Sequence, residues 1–252
     1  AKVEDLRATL IEGDPCPVCG SKEHPYAHPD VRLHAVLDAL RQQVERQRAE
    51  ARANLSAQAA RRAELYQLLK DLGAKIETGQ SPSLNALTLV APLGFDVTTV
   101  AVVERLDPAR TIGIDMLVDD AATKRRVLAT NPATRADMRD AAHALFARDG
   151  KPVSVVRDSG GFVTQRVVST IVNIAADMCQ QRVCSPKDLE TAVTLGLGYP
   201  LGPLAMGDKF GPANILEVLF NMQTVYGDPR YRPSPWLRRR GAIGLSLMHE
   251  EA

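Results

Sequence analysis

Residues 31–77 constrain the fold of this chain most, because they contain no proline and only one glycine, Gly73. Apolar residues recur there at alternating spacings of four and three, at Leu33, Leu37, Leu40 and Val44, then Ala51, then Leu65, Leu69, Leu72 and Ile76. This period is typical of a coiled-coil seam. At about 1.5 Å of rise per residue, an unbroken helix over this segment extends roughly 70 Å. The sequence therefore predicts a long amphipathic helix that needs a partner along its length.

A candidate metal site precedes this helix in the stretch "GDPCPVCGSKEHPYAHP". Cys16 and Cys19 are spaced C-x2-C among prolines and glycines, and His24 and His28 follow. Structural zinc takes four ligands in a tetrahedron, and two thiolates at this spacing on a tight turn supply two of them. Two completions stay open. His24 and His28 complete a small knuckle with one zinc per chain, or a second copy of the chain supplies another cysteine pair.

The segment "PCPVCGSKEHP" beside a long amphipathic helix resembles the zinc hook of the SbcC-type DNA-repair ATPases. The resemblance covers about residues 1–77. In that family two hooks share one zinc ion, which implies that Cys16 and Cys19 are the ligands and that His24 flanks them without binding metal. A Walker A loop is not found in this sequence. The resemblance therefore implies a zinc-mediated tether between two chains rather than an ATPase.

Composition limits the class of partner and the compartment. The net charge is +1, which favours neither nucleic acid nor an anionic membrane as a partner. The sequence has no run of about 18 apolar residues, and its first residues do not form a signal peptide. Four cysteines in such a chain indicate metal binding or free thiols rather than a disulfide framework. A cytoplasmic protein without membrane or direct nucleic-acid contacts is expected.

Short strands and helices alternate over residues 84–156. The runs "LNALTLVAPLG", "ARTIGIDMLV" and "KPVSVVRD" predict strands, and "VTTVAVVERLD" and "ATRADMRDAAHALFARDG" predict helices. This order indicates parallel βαβ units.

The chain is predicted to be helical from Asp158 onward. Asp158 or Ser159 is expected to cap a helix that begins near Phe162 and runs to Val183, and Ser185 with Pro186 opens the next one. Further helices are predicted over 203–226 and 234–249. The predicted fold is mainly α, in three domains at 1–78, 79–157 and 158–252: a zinc-hook turn with a coiled-coil helix, a truncated Rossmann-like α/β segment, and an all-α domain.

Three motifs carry a second resemblance, "VVRDSGGFVTQRVVSTIVNIAADM", "GLGYPLGPLAMGDKFG" and "GDPRYRPSPWLRRR". They resemble the C-terminal domain of 3-hydroxyacyl-CoA dehydrogenases, and residues 84–156 resemble the last strands of that family's NAD-binding domain. The resemblance implies NAD-linked oxidation of a 3-hydroxyacyl-CoA in β-oxidation. It also implies a helical domain that forms a homodimer and closes over acyl-CoA.

The departures from that family concern its chemistry. The pyrophosphate loop G-x-G-x-x-G is not found after a strand, and "GLGYPLG" is expected to end a helix. Asp115 occupies the place of the family's catalytic His and Gln165 that of its Asn, while its Glu falls near Val127. A free Asp titrates near pH 4, unsuited to accept an alcohol proton at pH 7 unless it is buried. No cofactor-binding residue and no confident catalytic residue is predicted.

Two hypotheses follow for function. The leading one is an enzyme-family module, inactive alone, which is either the second half of a tandem dehydrogenase or a segment cut before the cofactor site. The alternative is a structural zinc tether. Because a DNA-repair hook and an acyl-CoA enzyme have no shared role, a join between unrelated parts is expected near residue 80.

Four further sites are interpreted as structural. His143 is expected on a helix as a packed or surface residue, and Cys179 and Cys184 as buried thiols too far apart around a helix to chelate together. Asp208 is expected to form a cap or hydrogen bond, and Trp236 to anchor a core or an interface.

Overall fold

A computed structural model describes residues 9–11, 13–18, 20–23, 31–77 and 83–251. The chain divides into two compact units, Ala1–Ala60 and Arg61–Ala252. The division falls inside the long helix, whereas the sequence placed its first domain boundary at residue 78. Of the predicted zinc ligands, Cys19, His24 and His28 lie outside the described residues.

The predicted long helix is present as α1, Val31–Asp71. It ends six residues earlier than the sequence segment because Gly73 follows with φ +68°. The amide of Ala74 donates to the carbonyl of Leu69 at 2.9 Å, which closes the last turn around this glycine. Glycine adopts this left-handed conformation without steric cost and commonly terminates helices in this way.

The end of α1 packs on the sheet of its own chain. Leu65, Leu68 and Leu72 are buried in one cluster with strand and helix residues of the second unit, namely Ile112, Ile114, Met116, Leu128, Ala142 and Phe146. The prediction that Leu65 and Leu72 belong to a coiled-coil seam is therefore wrong. These leucines instead form the face of α1 that packs on the sheet. A helix that packs on a sheet needs apolar residues along one side, just as a coiled-coil helix does.

The α/β segment forms a four-stranded sheet in the order β1-β2-β3-β4. The strands are β1 Thr88–Val90, β2 Thr111–Ile114, β3 Arg126–Thr130 and β4 Val153–Arg157. The helices between them are α2 Val97–Val103 and α3 Ala136–Phe146, with a 3₁₀ turn at Pro108–Arg110. The three predicted strands and two predicted helices are confirmed, and β3 was missed.

The sheet is mixed, so the prediction of a purely parallel arrangement is wrong. β1 pairs parallel with β2, and β3 pairs parallel with β4. β2 and β3 are antiparallel, with Gly113 opposite Ala129. Residues 115–125 between them form turns and loop without a helix. A parallel pairing needs a crossover connection, usually a helix, whereas a reversing loop yields an antiparallel pair.

Five helices follow the sheet: α4 Thr164–Gln180, α5 Pro186–Leu197, α6 Pro203–Phe210, α7 Pro212–Tyr226 and α8 Pro235–Ile243. Ser185 caps α5, accepting the Asp188 amide at 3.1 Å as predicted. The helix predicted over 203–226 is two helices, because Gly211 lies at φ +88° and Pro212 starts α7. The helix predicted to end at 249 stops at Ile243, before Gly244 at φ +69°.

The helical core surrounds α4. Val172, Ala176 and Cys179 of α4 pack against α6, α7 and α8 in a single buried cluster. Trp236 belongs to it, and its indole Nε1 donates to the carbonyl of Leu247 at 3.0 Å, which confirms its prediction as a core anchor. Within the described part of the chain, no helix is both long and apolar enough to cross a membrane.

Contacts between α1 and the later segments cross residue 80. Arg148 donates through Nη1 to the carbonyl of Leu72 at 3.0 Å, and Leu68 is buried against the sheet. The expected join near residue 80 stays a prediction, although the end of α1 contacts the segment that follows it. Residues 61–77 contribute Leu65, Leu68 and Leu72 to the α/β core, beside Ala142 and Phe146 of α3.

Candidate functional site at the end of β2 and the start of α4

Asp115 follows β2 directly and lies at the carboxyl end of that strand. Its amide donates to the carbonyl of Val127 at 3.0 Å, which extends the β2–β3 ladder by one residue. Its Oδ1 accepts the amide of Leu117 at 3.2 Å, so the carboxyl group also closes the turn after the strand. The strand and this turn fix the side chain in one orientation.

Gln165 lies in the first turn of α4 and is fully buried, at 0% exposure. Its Nε2 donates to Asp115 Oδ1 at 3.0 Å and to the carbonyl of Pro92 at 3.0 Å. Its Oε1 accepts the amide of Gly94 at 2.8 Å. The structure thus brings together the two residues that the sequence aligned with the family's His and Asn. One amide side chain joins the end of β2, the loop after β1 and the start of α4.

Burial raises the pKa of Asp115, and this is the largest influence on the group. Hydrogen bonds from Gln165 and from the amide of Leu117 oppose the shift without cancelling it. The second carboxyl oxygen, Oδ2, is buried and has no hydrogen-bond partner among the described residues. Since a carboxylate is costly to bury without donors, the neutral acid is favoured over a wider pH range than in water.

The loop after β1 approaches α7 closely at Gly94. Gly94 has φ +78°, and a Cβ there would clash with the Val218 carbonyl and the Asn221 side chain. Asn221 donates through Nδ2 to the carbonyl of Leu93 at 2.7 Å, which ties the loop to α7. Sequence reasoning missed both residues, because neither lies in a motif and their proximity arises only in the folded chain.

Asp158 was predicted, with Ser159 as the alternative, to cap the helix that is α4, but its carboxylate caps α2 instead. Its carboxylate accepts the amides of Val97 at 2.7 Å and Thr98 at 2.9 Å. Residue Val163 precedes α4 and provides no side-chain cap. The prediction followed the rule that a capping residue immediately precedes its own helix. Here the chain folds back so that the cap comes from a residue 61 positions away.

Arg166 holds the glycine-rich turn that leads into α4. Its Nη2 donates to Ser159 Oγ and to the carbonyl of Gly160, both at 2.7 Å. The guanidinium lies 4.8 Å from the centre of the Tyr226 ring, and Tyr226 in turn accepts the amide of Gly160 at 2.9 Å. These contacts maintain Phe162 at φ +45°, a conformation that bulky residues rarely adopt. The D-S-G-G-F motif signalled the turn, but nothing in the sequence pointed to Tyr226.

The glycine-rich turn G-x-G-x-x-G that holds the pyrophosphate of NAD is not found in this sequence, and residues 84–156 resemble the last strands of the NAD-binding domain, not the first. The start of α2 does not provide a substitute site. A pyrophosphate binds where the N-terminal amides of a helix are available to it. At α2 those amides are occupied, two by Asp158 and that of Thr99 by Asp96 at 2.6 Å. Both acceptors are acidic residues, so an approaching phosphate meets a pair of carboxyl groups instead of free donors. No step of a reaction is assigned to NAD here.

The turn around Cys16 is described in part. The Cys16 amide donates to the carbonyl of Ser21 at 2.8 Å, and the Gly20 amide to the carbonyl of Cys16 at 2.8 Å. The amide of Val18 points at Cys16 Sγ, 3.4 Å away. Among the residues that the structure describes, no group of three or more metal-binding side chains is found. Because Cys19, His24 and His28 fall outside those residues, the zinc site stays a prediction.

The remaining predicted residues lie away from Asp115. His143 is exposed on α3. Asp208 accepts the amide of Leu247 at 2.7 Å and a hydrogen bond from Ser246, which confirms a structural role. Cys179 is buried, and Cys184 is half-buried and packs against the same cluster. Cys184 lies beyond the end of α4, so the helical separation that underlies the prediction for Cys179 and Cys184 does not apply, and the Cys184 thiol is near enough to raise the pKa of Cys179.

Comparison with known proteins gives consistent matches for the second part of the chain. Residues 161–246 match the family described as 3-hydroxyacyl-CoA dehydrogenase, C-terminal domain. A 3-hydroxyadipyl-CoA dehydrogenase of Escherichia coli (strain K12) is 43% identical over 96 residues, which are 38% of this chain and 20% of that protein. A probable 3-hydroxybutyryl-CoA dehydrogenase of Bacillus subtilis (strain 168) is 32% identical over 147 residues, 57% of this chain and 50% of that protein.

A solved structure of a related dehydrogenase also matches this chain. The (S)-3-hydroxybutyryl-CoA dehydrogenase of Ralstonia eutropha superposes with a TM-score of 0.58 and 27% identity, over 64% of this chain and 57% of that one. The chain spans half or less of the length of the two curated relatives. The predicted resemblance to the dehydrogenase C-terminal domain is confirmed as a similarity, which the family match places at residues 161–246.

Proposed function

We propose that residues 84–251 are the partial α/β and helical portion of a 3-hydroxyacyl-CoA dehydrogenase, and that they do not transfer hydride themselves. The observation that carries this proposal is the Asp115–Gln165 hydrogen bond of 3.0 Å. This hydrogen bond engages the two side chains that correspond to the catalytic His and Asn of the family in a buried contact with each other. An acid held by a buried amide serves as a structural link.

Asp115 is poorly suited to act as a general base. A base must reach the proton of the substrate hydroxyl and must be ionised near the working pH. Oδ1 already accepts Gln165 Nε2 and the Leu117 amide, and Oδ2 is buried. Burial also raises the pKa of Asp115, which reduces the ionised fraction. The glycine-rich loop that would hold the pyrophosphate of NAD is also not found in the sequence.

The activity of the whole protein is proposed to be NAD-linked oxidation of a 3-hydroxyacyl-CoA, carried out by a complete dehydrogenase half. The similarity to 3-hydroxyadipyl-CoA and 3-hydroxybutyryl-CoA dehydrogenases supports this substrate class. The present module contributes self-association and closure over acyl-CoA. Apolar side chains at α4 support the association, since Val167 and Ile174 on the helix and Val163 just before it are each at least half exposed. Apolar stripes of this kind commonly mark protein interfaces.

An assay of the purified chain tests the inactivity. With NAD and (S)-3-hydroxybutyryl-CoA, no absorbance increase at 340 nm above the no-enzyme rate is expected, while a complete 3-hydroxyacyl-CoA dehydrogenase gives turnover in the same buffer. The double variant D115H/Q165N restores the family's side chains and is expected to remain inactive, because the pyrophosphate loop G-x-G-x-x-G is still missing from the sequence. Turnover by the unmodified chain that disappears in Asp115→Asn would contradict the proposal.

A second proposed function is the zinc tether, favoured by the geometry at Cys16. An amide that points at a cysteine sulfur, as Val18 does at 3.4 Å, stabilises a thiolate of the kind that binds zinc. Native mass spectrometry with and without a zinc chelator distinguishes the alternatives. A shared hook gives half a zinc per chain and a chelator-sensitive dimer, and a knuckle gives one zinc per chain in a monomer. Protein without zinc at pH 7 after zinc loading would contradict both.

A further inference from the structure

Residues 246–251 follow α8 and contain a tight turn with one buried leucine. The amide of His249 donates to the carbonyl of Ser246 at 3.1 Å, which closes the turn. Leu247, a central residue of this turn, is 0% exposed, whereas Ser246 and His249 are exposed. The segment, called the plug below, therefore inserts one apolar side chain into the helical core while the residues around it stay at the surface.

The pocket that receives Leu247 depends on a glycine of α6. A Cβ at Gly207 would lie 2.5 Å from Leu247 Cδ1 and 2.7 Å from Val172 Cγ1, both closer than carbon atoms pack. The missing side chain at position 207 therefore leaves the space into which these two residues pack. Leu247 shares its buried cluster with residues of α4, α6, α7 and α8, so the pocket lies in the centre of the helical domain.

Three polar side chains around this pocket bind the backbone of the plug. Asp208 Oδ1 accepts the amide of Leu247 at 2.7 Å, and Trp236 Nε1 donates to the carbonyl of the same residue at 3.0 Å. Arg240 donates to the carbonyl of His249 from Nε at 3.1 Å and from Nη2 at 2.7 Å. Peptide-binding sites combine main-chain hydrogen bonds with a pocket for a side chain in this way.

Arg240 makes its hydrogen bonds within the described part of the chain to the plug. Its side chain is almost fully buried, and the guanidinium carbon lies 3.2 Å from the centre of the Trp236 ring. Besides the His249 carbonyl, it pairs through Nη1 with Glu251 of the plug at 3.5 Å. Because a buried charge without hydrogen-bond partners is costly, the pocket favours an occupant with a carbonyl at this place.

The plug joins α8 through an exposed glycine. Gly244 has φ +69°, a Cβ there would meet nothing within 4 Å, and Ile243 before it is largely exposed. We propose that the plug is exchangeable, and that its pocket is a peptide-binding site for the Ser-Leu-x-His turn of a second copy of this chain. Rotation at Gly244 releases the plug, as in the exchange of identical elements between protomers. This inference concerns the helical domain and holds whether or not the proposed function is correct.

A labelled peptide tests the pocket in the full chain. The probe is the peptide GLSLMHEE, residues 244–251, with a fluorophore at its amino end, and fluorescence polarisation reports binding. The Leu247→Ala chain, whose own plug is weakened, is expected to bind it. The wild type should bind it at least about tenfold more weakly, because its own plug competes at a millimolar effective concentration. A peptide with Leu247→Ala should not bind, and one with the exposed Glu250→Ala should bind like the unmodified probe.

Competition tests a second copy as the source of the ligand. Asp208→Ala removes the acceptor of the Leu247 amide and of the Ser246 hydroxyl, so the plug of that chain is held less firmly in its own pocket. An excess of the unlabelled Asp208→Ala chain should displace the probe from the Leu247→Ala chain. The matched double variant D208A/L247A, which lacks the leucine, should not displace it.

Three results would overturn the exchange: no binding of the probe to folded Leu247→Ala chain, equal binding of the peptide that lacks the leucine, and no displacement by the Asp208→Ala chain. If Leu247→Ala does not fold, hydrogen exchange of the wild-type chain decides. The Leu247 amide is then expected to exchange by local opening, with a protection factor at least about tenfold below that of the Ser234 amide, which donates to Asn173 at 2.8 Å. Equal protection of the two amides would refute a detachable plug.

Discussion

Arg61 of α1 and Glu217 of α7 form an ion pair that joins the end of the long helix to the helical part of the chain. Arg61 Nη2 lies 2.9 Å from Glu217 Oε1 and 3.2 Å from Oε2, and the side chains are only 12% and 18% exposed. One guanidinium nitrogen therefore reaches both oxygens of a carboxylate that is largely removed from solvent. This geometry places the last turns of α1 in the same folding unit as α7.

A double-mutant cycle measures the coupling energy between Arg61 and Glu217. Arg61→Met and Glu217→Gln each leave a partly buried partner without its counter-charge and should each lower the free energy of unfolding. The coupling energy from urea denaturation is expected to be about 1 kcal/mol, above the value typical of exposed pairs. Additive effects of the two changes, within about 0.3 kcal/mol, would show that the pair does not hold α1 against α7.

Leu68 should matter far more than Leu40, although both are leucines of α1. Leu68 is buried against the sheet, whereas Leu40 is 52% exposed. Leu68→Ala leaves a cavity in the α/β core and is expected to cost about 3 kcal/mol of unfolding free energy. Leu40→Ala, the matched control, should change it by less than about 0.5 kcal/mol. Equal, small effects in both variants would contradict the helix-on-sheet packing and restore the coiled-coil interpretation.

The Arg126 cluster should make the chain acid-sensitive. Arg126 is buried, and hydrogen bonds from its guanidinium hold the pKa of Asp149 at about 2. A carboxyl with a lowered folded pKa contributes stability that is present above the unfolded value of about 3.9 and is lost as the pH falls toward 2. The urea midpoint of the wild type should drop over this range, and Asp149→Asn should drop less. A steeper acid loss in Asp149→Asn than in the wild type would be inconsistent with this pairing.

The two cysteines near the end of α4 should differ in reactivity. Burial raises the pKa of Cys179 to about 11, with the neighbouring Cys184 thiol as a further cause. Alkylation requires the thiolate, so iodoacetamide at pH 8 should modify the half-buried Cys184 much faster than Cys179. Peptide mass spectrometry over time measures both rates. Cys184→Ser removes the faster site and serves as the control, and faster modification of Cys179 would contradict the assigned burial.

Alignment with the family's motifs predicted the two residues of the candidate site, whereas helix-capping rules misplaced a neighbouring residue. Asp115 and Gln165 were each aligned with family positions, and they prove to be hydrogen-bonded neighbours. Asp158 was assigned to the wrong helix, because capping rules consider adjacent residues only. The Gly94 contact with α7 depends on the approach of two distant backbones, which no local sequence pattern records.

The missed strand and the misassigned seam have related causes. β3 begins at Arg126, a charged residue of a kind uncommon at the start of a buried strand, and its side chain is buried because Asp120 and Asp149 neutralise it. The stripe at Leu65 and Leu72 has the period of a coiled coil, but a helix on a sheet requires the same period. Periodicity identifies the buried face of a helix and leaves its partner undetermined.

NAD binding to the purified chain tests the central claim most directly. Isothermal titration calorimetry with NAD at millimolar concentration measures binding directly and does not depend on turnover. A complete 3-hydroxyacyl-CoA dehydrogenase is the positive control. The account predicts no saturable heat from this chain, because the glycine-rich turn that holds the pyrophosphate of NAD is not found in its sequence. Saturable binding of one NAD per chain with a micromolar Kd would contradict it.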